Sequence, residues 1–186
     1  VLKDINLSIK ESEMFGLVGE TGSGKSMFGW SLIDLLPRSC YRAEGTVEYN
    51  KIEVSDIPNL RGEKITMVFQ DPMQSLNPIQ TIGSQIKILF ENNSYNKKSS
   101  YEESIGTWIS RVKLDEVPNL MNRYPHQLSG GQMQRVMIAV SMLMEPSLII
   151  ADEITTGLDA NTKIEIMDML INLQKDQGFA VLLISH

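Results

Sequence analysis

Eight residues near the start of the chain decide its fold: they read Gly19-Glu20-Thr21-Gly22-Ser23-Gly24-Lys25-Ser26. They follow an apolar run at residues 14–18, which predicts a buried strand, and precede a predicted helix at 25–36. In this order, glycines let successive N–H groups point inward at phosphate oxygens, which is typical of a phosphate-binding loop. All eight are therefore candidate nucleotide-binding residues, with Lys25 a catalytic cation and Ser26 a ligand of Mg²⁺. The alternative is an ordinary glycine-rich turn.

A second apolar run ends in two acidic residues, Asp152 and Glu153. Carboxylates at the end of a parallel strand lie where open α/β sheets bind ligands. We expect Asp152 to hold Mg²⁺ through water, and Glu153 to orient or deprotonate an attacking water. Alone, such a pair is more often a solvated approach to a helix. Together with the phosphate loop it indicates a P-loop ATPase or GTPase, without distinguishing the two.

A third motif, Leu128-Ser129-Gly130-Gly131-Gln132, opens the most regular amphipathic helix, predicted over 130–144. The two glycines leave N–H groups bare at the positive end of the helix. The motif therefore predicts a second anion site. Ser129 acting as an ordinary helix cap is compatible with that role.

These motifs give the chain a resemblance to the ATP-binding-cassette (ABC) ATPases. The resemblance covers essentially the whole sequence in the family's order: the phosphate loop, Gln70, residues 128–132, Asp152-Glu153, Gly157-Leu158-Asp159 and His186. It implies a dimer in which residues 128–132 of one subunit face the phosphate loop of the other, with ATP between them.

The resemblance also implies individual roles. Lys25, Gln70, Glu153 and His186 would be catalytic: Gln70 would contact Mg²⁺ and the attacking water, Glu153 would be the general base, and His186 would hydrogen-bond the γ-phosphate. Mg²⁺ would be held by Ser26, Gln70 and Asp152. The residues implied to bind the nucleotide besides the phosphate loop are Ser129, Gly130, Gly131, Gln132 and Asp159. Without the preceding apolar strand, His186 would be interpreted as a solvated tail.

Two longer stretches, 69–78 and 124–131, narrow the resemblance to the ATPase subunits of peptide and nickel importers. They imply a subunit at the cytoplasmic face of the membrane that hydrolyses ATP to energise import of peptides or a related solute such as nickel. Implied partners are a second ABC ATPase subunit, identical or different, and permease subunits that meet the loop from Gln70 to Gln80. An extracytoplasmic solute-binding protein would be an indirect partner, and nucleic acid would not be one.

Two other functions remain as alternatives. The first is a soluble cassette ATPase of DNA repair or translation, in which residues 79–145 would carry a coiled coil or basic stretches; only Lys97-Lys98 stands there. The second is a regulatory half-site that binds nucleotide without catalysis. The acids at 152 and 153 and the presence of Lys25 and His186 argue against it.

The remaining pattern predicts an α/β fold, and the resemblance makes it a RecA-like P-loop NTPase core with an antiparallel β edge and an inserted helical subdomain. We expect one ABC ATPase domain over 1–186, cut at both ends, with the core at about 1–78 and 146–186 and the helical subdomain at about 79–145. The further predicted strands are 1–9, 65–69, 147–151 and 179–184, with a hairpin at 46–49 and 51–54. The further predicted helices are 81–90, 101–112, 119–124 and 160–175, and 91–100 is a predicted polar loop.

Composition excludes several classes of protein. The chain has 186 residues, 17 basic and 23 acidic, so its formal charge is −6, and this balance argues against non-specific binding of nucleic acid. The single Cys40 excludes an internal disulfide framework. No apolar stretch approaches the roughly 18 residues of a membrane-spanning helix, and no signal peptide is visible.

Two positions depart from the family's pattern. Ile154 stands where proline is usual after the catalytic acid, and Gly157 stands where this branch usually has alanine. Neither removes a functional group. We expect both to affect the loop that positions Glu153 and Asp159.

Overall fold

A four-stranded parallel sheet forms the centre of the protein, as seen in the computed structural model, which describes residues 2–92 and 100–186. In chain order the elements are β1 (Met14–Val18), α1 (Lys25–Leu32), β2 (Glu48–Tyr49), β3 (Ile52–Glu53), β4 (Ile65–Val68), α2 (Pro72–Ser75), α3 (Ile82–Glu91), α4 (Tyr101–Arg111), α5 (Gly130–Met142), β5 (Leu148–Asp152), α6 (Ala160–Gln177) and β6 (Ala180–Ser185). The predicted α/β fold with a parallel sheet is confirmed.

The strands follow the order β1-β6-β5-β4, and every neighbouring pair is parallel. Leu17 of β1 and Asp152 of β5 both pair with Ile184 of β6, while Val68 of β4 pairs with Ala151. The carboxyl ends of all four strands therefore meet at one edge of the sheet. This edge is where open α/β sheets bind ligands.

Two hydrophobic clusters pack on the two faces of the sheet, because successive side chains of a strand point to opposite sides. Ile149 and Val181 join the larger cluster with helices α3 to α6, and Ile150 and Leu182 join the smaller cluster with Phe28 of α1. Helix α1 approaches the sheet closely at Gly29. A Cβ atom there would lie 3.2 Å from Ile184 Cδ1 and 3.3 Å from Ile150 Cγ2. This close contact positions the start of α1 beside β5 and β6.

The antiparallel β edge is the hairpin of β2 and β3. Its turn residues Asn50 and Lys51 have φ angles of 51° and 66°, as a two-residue turn that matches the strand twist requires. The hairpin predicted around Asn50 is therefore confirmed, with shorter strands than expected.

The predicted edge strand at 1–9 is wrong over residues 2–9, which form no strand. Asp4 has a φ of 51°, which interrupts an extended backbone. Leu2 and Ile9 nevertheless pack against the smaller hydrophobic cluster. Ile5 and Leu7, the other two apolar members of the alternation, are exposed. The alternation therefore predicted burial at only two of its four positions and did not predict the backbone conformation.

The predicted helix at 25–36 begins correctly and ends four residues early, at Leu32. The reason is local, because Asp34 has a φ of 52° and cannot continue a right-handed helix.

The predicted helix at 119–124 is a three-residue 3₁₀ turn at Leu120–Asn122. Asn119, which precedes the turn, has a left-handed φ of 54°. Both misjudged helices thus border a residue with a positive φ, which apolar spacing does not reveal.

The other predicted elements are present with ends shifted by one or two residues, the usual uncertainty of such boundaries. Of the predicted loop at 91–100, residues 93–99 lie outside the described part of the chain, as do Lys97-Lys98 and position 1. Within residues 2–92 and 100–186, no helix combines the length and the apolar character needed to cross a membrane.

Candidate nucleotide-binding site

The phosphate loop curves between the end of β1 and the start of α1. Gly22 and Gly24 have φ angles of 80° and 98°, which glycine adopts without strain. A Cβ atom at Gly19 would lie 3.2 Å from Ser23 Oγ. Since Gly24 is the N-cap of α1, the loop places the positive end of the helix dipole at the candidate site.

Lys25 links the two ends of this loop. Its side chain is buried, and Nζ donates to the carbonyl oxygens of Gly19 and Glu20 at 2.8 Å each. The ammonium group is therefore held inside the site by backbone dipoles. Phosphate oxygens would offer it stronger, charge-assisted partners.

Asp152, at the end of β5, contacts the start of α1. Ser26 Oγ donates to Asp152 Oδ1 at 3.1 Å, and only 4% of Asp152 is exposed. Burial raises the pKa of the Asp152 carboxyl, and the neighbouring Glu153 also raises it; the hydrogen bond from Ser26 and the charges of Lys25 and His186 act in the opposite direction. The structure thus places a carboxylate that is costly to ionise beside a hydroxyl oxygen.

These two oxygen donors fit Mg²⁺, which prefers oxygen ligands and usually keeps several waters. Within the described residues, no group of three or more His, Cys, Asp and Glu side chains is suited to hold a metal. A cation here would therefore depend on few protein ligands and on phosphate and water, which is the usual arrangement for Mg²⁺ with a nucleotide.

Glu153 and His186 lie against each other at the same edge. Glu153 Oε2 is 2.7 Å from His186 Nε2, and the Glu153 N–H donates to the carbonyl oxygen of Ile184 at 3.0 Å. His186 Nδ1 lies 3.3 Å from Thr21 Oγ1 of the phosphate loop. The segments after β1, β5 and β6 are thus connected through one imidazole ring. The sequence did not predict the contact between Thr21 and His186.

Gln70 lies exposed after β4, at the same edge of the sheet. The loop that follows is ordered by side chains: Asp71 caps the short helix α2, accepting from Met73 N at 2.9 Å. Gln85 of α3 accepts from Asn77 N at 2.8 Å and donates to the carbonyl oxygens of residues 77 and 80. The sequence pattern was not used to predict α2 or the role of Gln85, although Asp71-Pro72 with Gln74 three residues after Asp71 is a helix-start signal.

Ser129 caps α5 in a reciprocal capping box with Gln132. Gln132 N donates to Ser129 Oγ at 3.2 Å, and Ser129 N donates to Gln132 Oε1 at 3.0 Å. Gly130 and Gly131 form the first turn of the helix. Among the residues that the structure describes, no hydrogen bond or ion pair joins 128–132 to the phosphate loop. Within the described chain, hydrogen bonds join the phosphate loop to Asp152 and to His186, and His186 to Glu153. Residues 128–132 lie outside this network, as do Gln70 and Asp159.

Asp159 caps α6. It accepts from Thr162 Oγ1 at 2.6 Å and from Thr162 N at 3.0 Å, and these bonds hold the pKa of the exposed Asp159 carboxyl below its usual value. Asp-x-x-Thr before an amphipathic helix is a capping signal that was not used to predict the start of α6.

The structure also places the two residues that depart from the family's pattern. Ile154 is buried in the larger hydrophobic cluster, and Gly157 has a φ of 78°.

Comparison with known proteins gives one consistent result. A family model described as "ABC transporter" matches residues 2–156. The oligopeptide transport ATP-binding protein OppD of Escherichia coli (strain K12) is 40% identical over 191 residues, which cover 100% of this chain and 56% of that protein. OppD of Lactococcus lactis subsp. lactis (strain IL1403) is 37% identical over 188 residues, covering 98% of this chain and 56% of that protein. The chain therefore spans about half the length of these curated relatives.

Among solved structures, the dimeric post-hydrolysis state of the ATP-binding cassette MJ0796, bound to ADP and Pi, superposes with a TM-score of 0.79 at 32% identity. That match covers 100% of this chain and 79% of the solved one. The similarity therefore extends over every element described above.

Proposed function

The chain belongs to the ABC transporter family, and on that premise we propose that it binds and hydrolyses ATP with Mg²⁺ to drive a membrane importer of peptides or a related small solute. The observation that carries the proposal is the meeting of the phosphate loop, Asp152, Glu153 and His186 at one edge of the sheet. The similarity to OppD proteins favours peptides, and it argues against a soluble ATPase of DNA repair or translation.

In this proposal the phosphate loop binds the β- and γ-phosphates through its N–H groups, with Lys25 exchanging its carbonyl partners for phosphate oxygens. Ser26 and Asp152 would hold Mg²⁺, and Gln70, which follows β4, would contact it. A bound cation would neutralise charge on the outer phosphates and make ionisation of the buried Asp152 less costly.

Glu153 is the proposed general base. A water oxygen forms a bond to the γ-phosphorus, the bond from that phosphorus to the ADP oxygen breaks, and the water proton passes to Glu153. His186 Nε2 lies 2.7 Å from Glu153 Oε2 and Nδ1 lies 3.3 Å from Thr21 Oγ1. To hydrogen-bond the γ-phosphate, His186 would exchange one of these two partners for a phosphate oxygen.

We propose a head-to-tail dimer, which would bring residues 128–132 of one subunit to the phosphate loop of the other. In such a dimer Ser129, Gly130, Gly131, Gln132 and Asp159 would complete the nucleotide site of the partner subunit. The positive end of a helix dipole suits a γ-phosphate. The dimeric cassette bound to ADP and Pi is consistent with this arrangement.

We extend the proposal to partners and domain organisation. Permease subunits would contact the loop at 70–80 at the cytoplasmic face of the membrane. In this loop the apolar side chains of Met73 and Ile79 are 40% and 82% exposed. A solute-binding protein would act from the other side of the membrane.

The chain would form a single cassette domain, with a core at about 1–78 and 146–186 and a helical subdomain at about 79–145.

The test is Glu153→Gln in the protein at its full natural length. Loss of the base should lower steady-state ATP hydrolysis by about 100-fold or more, while ATP traps a stable dimer that size-exclusion chromatography detects. The matched control is Glu44→Gln, which changes an exposed carboxylate outside the site and should leave the rate unchanged. Hydrolysis of Glu153→Gln near the parent rate would remove Glu153 from its role.

A further inference from the structure

The first turns of α5 and α6 pack too closely to admit a side chain at Gly131. A Cβ atom there would lie 2.6 Å from Thr162 Cγ2, well inside van der Waals contact. At the neighbouring Gly130 it would lie 3.1 Å from Leu158 Cδ2, the far end of a flexible side chain that can move. Packing therefore requires glycine at position 131, whereas position 130 could accept a small side chain if Leu158 moved.

Thr162 cannot turn its methyl group away from Gly131 without losing a hydrogen bond. Its hydroxyl donates to Asp159 Oδ2 at 2.6 Å, and its N–H donates to Oδ1 of the same carboxylate at 3.0 Å. A β-branched side chain in a helix has few allowed χ1 values. Rotation of χ1 would break the hydroxyl bond, so the cap at Asp159 fixes the methyl group against α5.

The two helices are also prevented from moving apart. One turn further along, the buried Arg135 of α5 donates from Nη2 to Glu165 Oε2 of α6 at 2.7 Å. Its Nη1 donates to the carbonyl oxygen of Val112 at 3.0 Å. Separating α5 from α6 would stretch the charged hydrogen bond to Glu165, while the bond to Val112, at the end of α4, would remain.

We propose that Thr162 is a positioning residue that fixes the turn at 129–132 relative to the segment at 153–159 of the same chain. Its methyl group packs on Gly131, and its hydroxyl holds Asp159. This inference rests on the proposed function, in which the first segment completes the partner's nucleotide site and the second carries Glu153 for the chain's own site. The contact would then join two sites of the dimer through one subunit.

The test is a double-mutant cycle of Gly131→Ala and Thr162→Ser in the protein at its full natural length. Serine keeps the hydroxyl bond to Asp159 and removes the methyl group that an alanine at 131 would strike. We expect Gly131→Ala to lower the melting temperature by roughly 5 °C. The kcat of Gly131→Ala should fall about tenfold or more. Its KM for ATP should change little, because the phosphate loop is unchanged.

The double variant should recover both quantities, because the alanine methyl group occupies the space that Thr162→Ser vacates. We expect the kcat of the double variant to rise at least about threefold above that of Gly131→Ala, and Thr162→Ser alone to lower kcat, because the turn at 129–132 then loses the methyl group that fixes it. If Gly131→Ala yields no folded protein, recovery of folded protein in the double variant is the readout. The control is Gly106→Ala in α4, where a Cβ atom meets nothing within 4 Å; it should lower neither quantity.

Three results would overturn the inference. An unchanged melting temperature in Gly131→Ala, or no recovery with Thr162→Ser, would mean that Gly131 serves only the approach of nucleotide. Recovery of the melting temperature without recovery of kcat would make the contact purely structural. The melting temperatures are measured without nucleotide, so they decide the packing even if the parent protein hydrolyses no ATP, a result that would instead refute the proposed function.

Discussion

At the residue scale, Asp152 combines a proposed metal-binding role with a cost in stability. Its carboxyl is almost fully buried, and desolvation is the main reason that its pKa is raised. An acid with a raised pKa in the folded state loses its proton more readily when unfolded, so its effect on stability becomes unfavourable as the pH rises. Asp152, the residue that would hold the cation, therefore lowers the free energy of unfolding when no cation is bound.

Asp152→Asn should accordingly raise the free energy of unfolding at pH 7 in the absence of nucleotide and Mg²⁺, while abolishing hydrolysis. Asparagine keeps an acceptor for Ser26 Oγ without the charge. The gain should shrink as the pH falls through the folded-state pKa of Asp152, which lies above 3.8, because the parent carboxyl then becomes neutral. Urea unfolding across this pH range measures it, with the exposed Asp168→Asn as control. A variant less stable than the parent at pH 7 would contradict the argument.

Gly157 gives a second prediction at this scale. Its φ of 78° is strained for any residue with a Cβ, so Gly157→Ala should lower the free energy of unfolding by about 1 kcal/mol. Gly106→Ala, within a helix, should instead raise it by up to about 1 kcal/mol. Urea unfolding of both variants tests the pair. Equal stabilities would show that the loop between Glu153 and Asp159 changes conformation to accept alanine, the residue usual in this branch.

At the scale of elements, α4, α5 and α6 are joined through the guanidinium group of Arg135. It reaches Val112, the residue that follows α4, and Glu165 in the first half of α6. A lysine presents a single charged nitrogen and cannot hold both acceptors in the same fork geometry. Arg135→Lys should therefore lower the free energy of unfolding by about 1–2 kcal/mol.

The comparison is Lys87→Ala, which removes an ion pair within α3 at 3.8 Å whose two side chains are about 60% exposed. Exposed pairs of this kind contribute about 0.5 kcal/mol or less. Urea unfolding of both variants measures the difference. Equal losses would mean that Arg135 contributes no more than a surface charge.

Some of these elements and their grouping could be predicted from the sequence, and others could not. The strand, loop and helix around the phosphate loop were predictable because an apolar run, three glycines and helical spacing each have a local cause. The grouping of Asp152, Glu153 and His186 was predictable because parallel strands end at one edge. The breaks in regular structure at Asp4, Asp34 and Asn119 were not predictable, because a positive φ at these residues does not change the spacing of apolar residues. The contact of Gly131 with Thr162 depends on how two distant helices pack.

At the scale of the whole molecule, two helix starts suited to anions lie in different places. One belongs to the phosphate loop and the other to residues 129–132, and in the described chain no hydrogen bond or ion pair connects them. If two copies assemble head to tail, every complete site takes one part from each copy. A subunit defective in one part should then be complemented by a subunit defective in the other.

Lys25→Ala removes the phosphate-loop cation, and Ser129→Arg blocks the start of α5. Each variant alone should hydrolyse ATP at background rates, because both sites of its homodimer are incomplete. In an equal mixture half of the dimers are mixed, and each has one intact site of two. The recovered activity should therefore be roughly a quarter of the parent's, measured as phosphate release. Mixing Lys25→Ala with a chain carrying both substitutions creates no intact site and should stay inactive. Failure of the first mixture to recover activity would contradict a head-to-tail dimer of this chain.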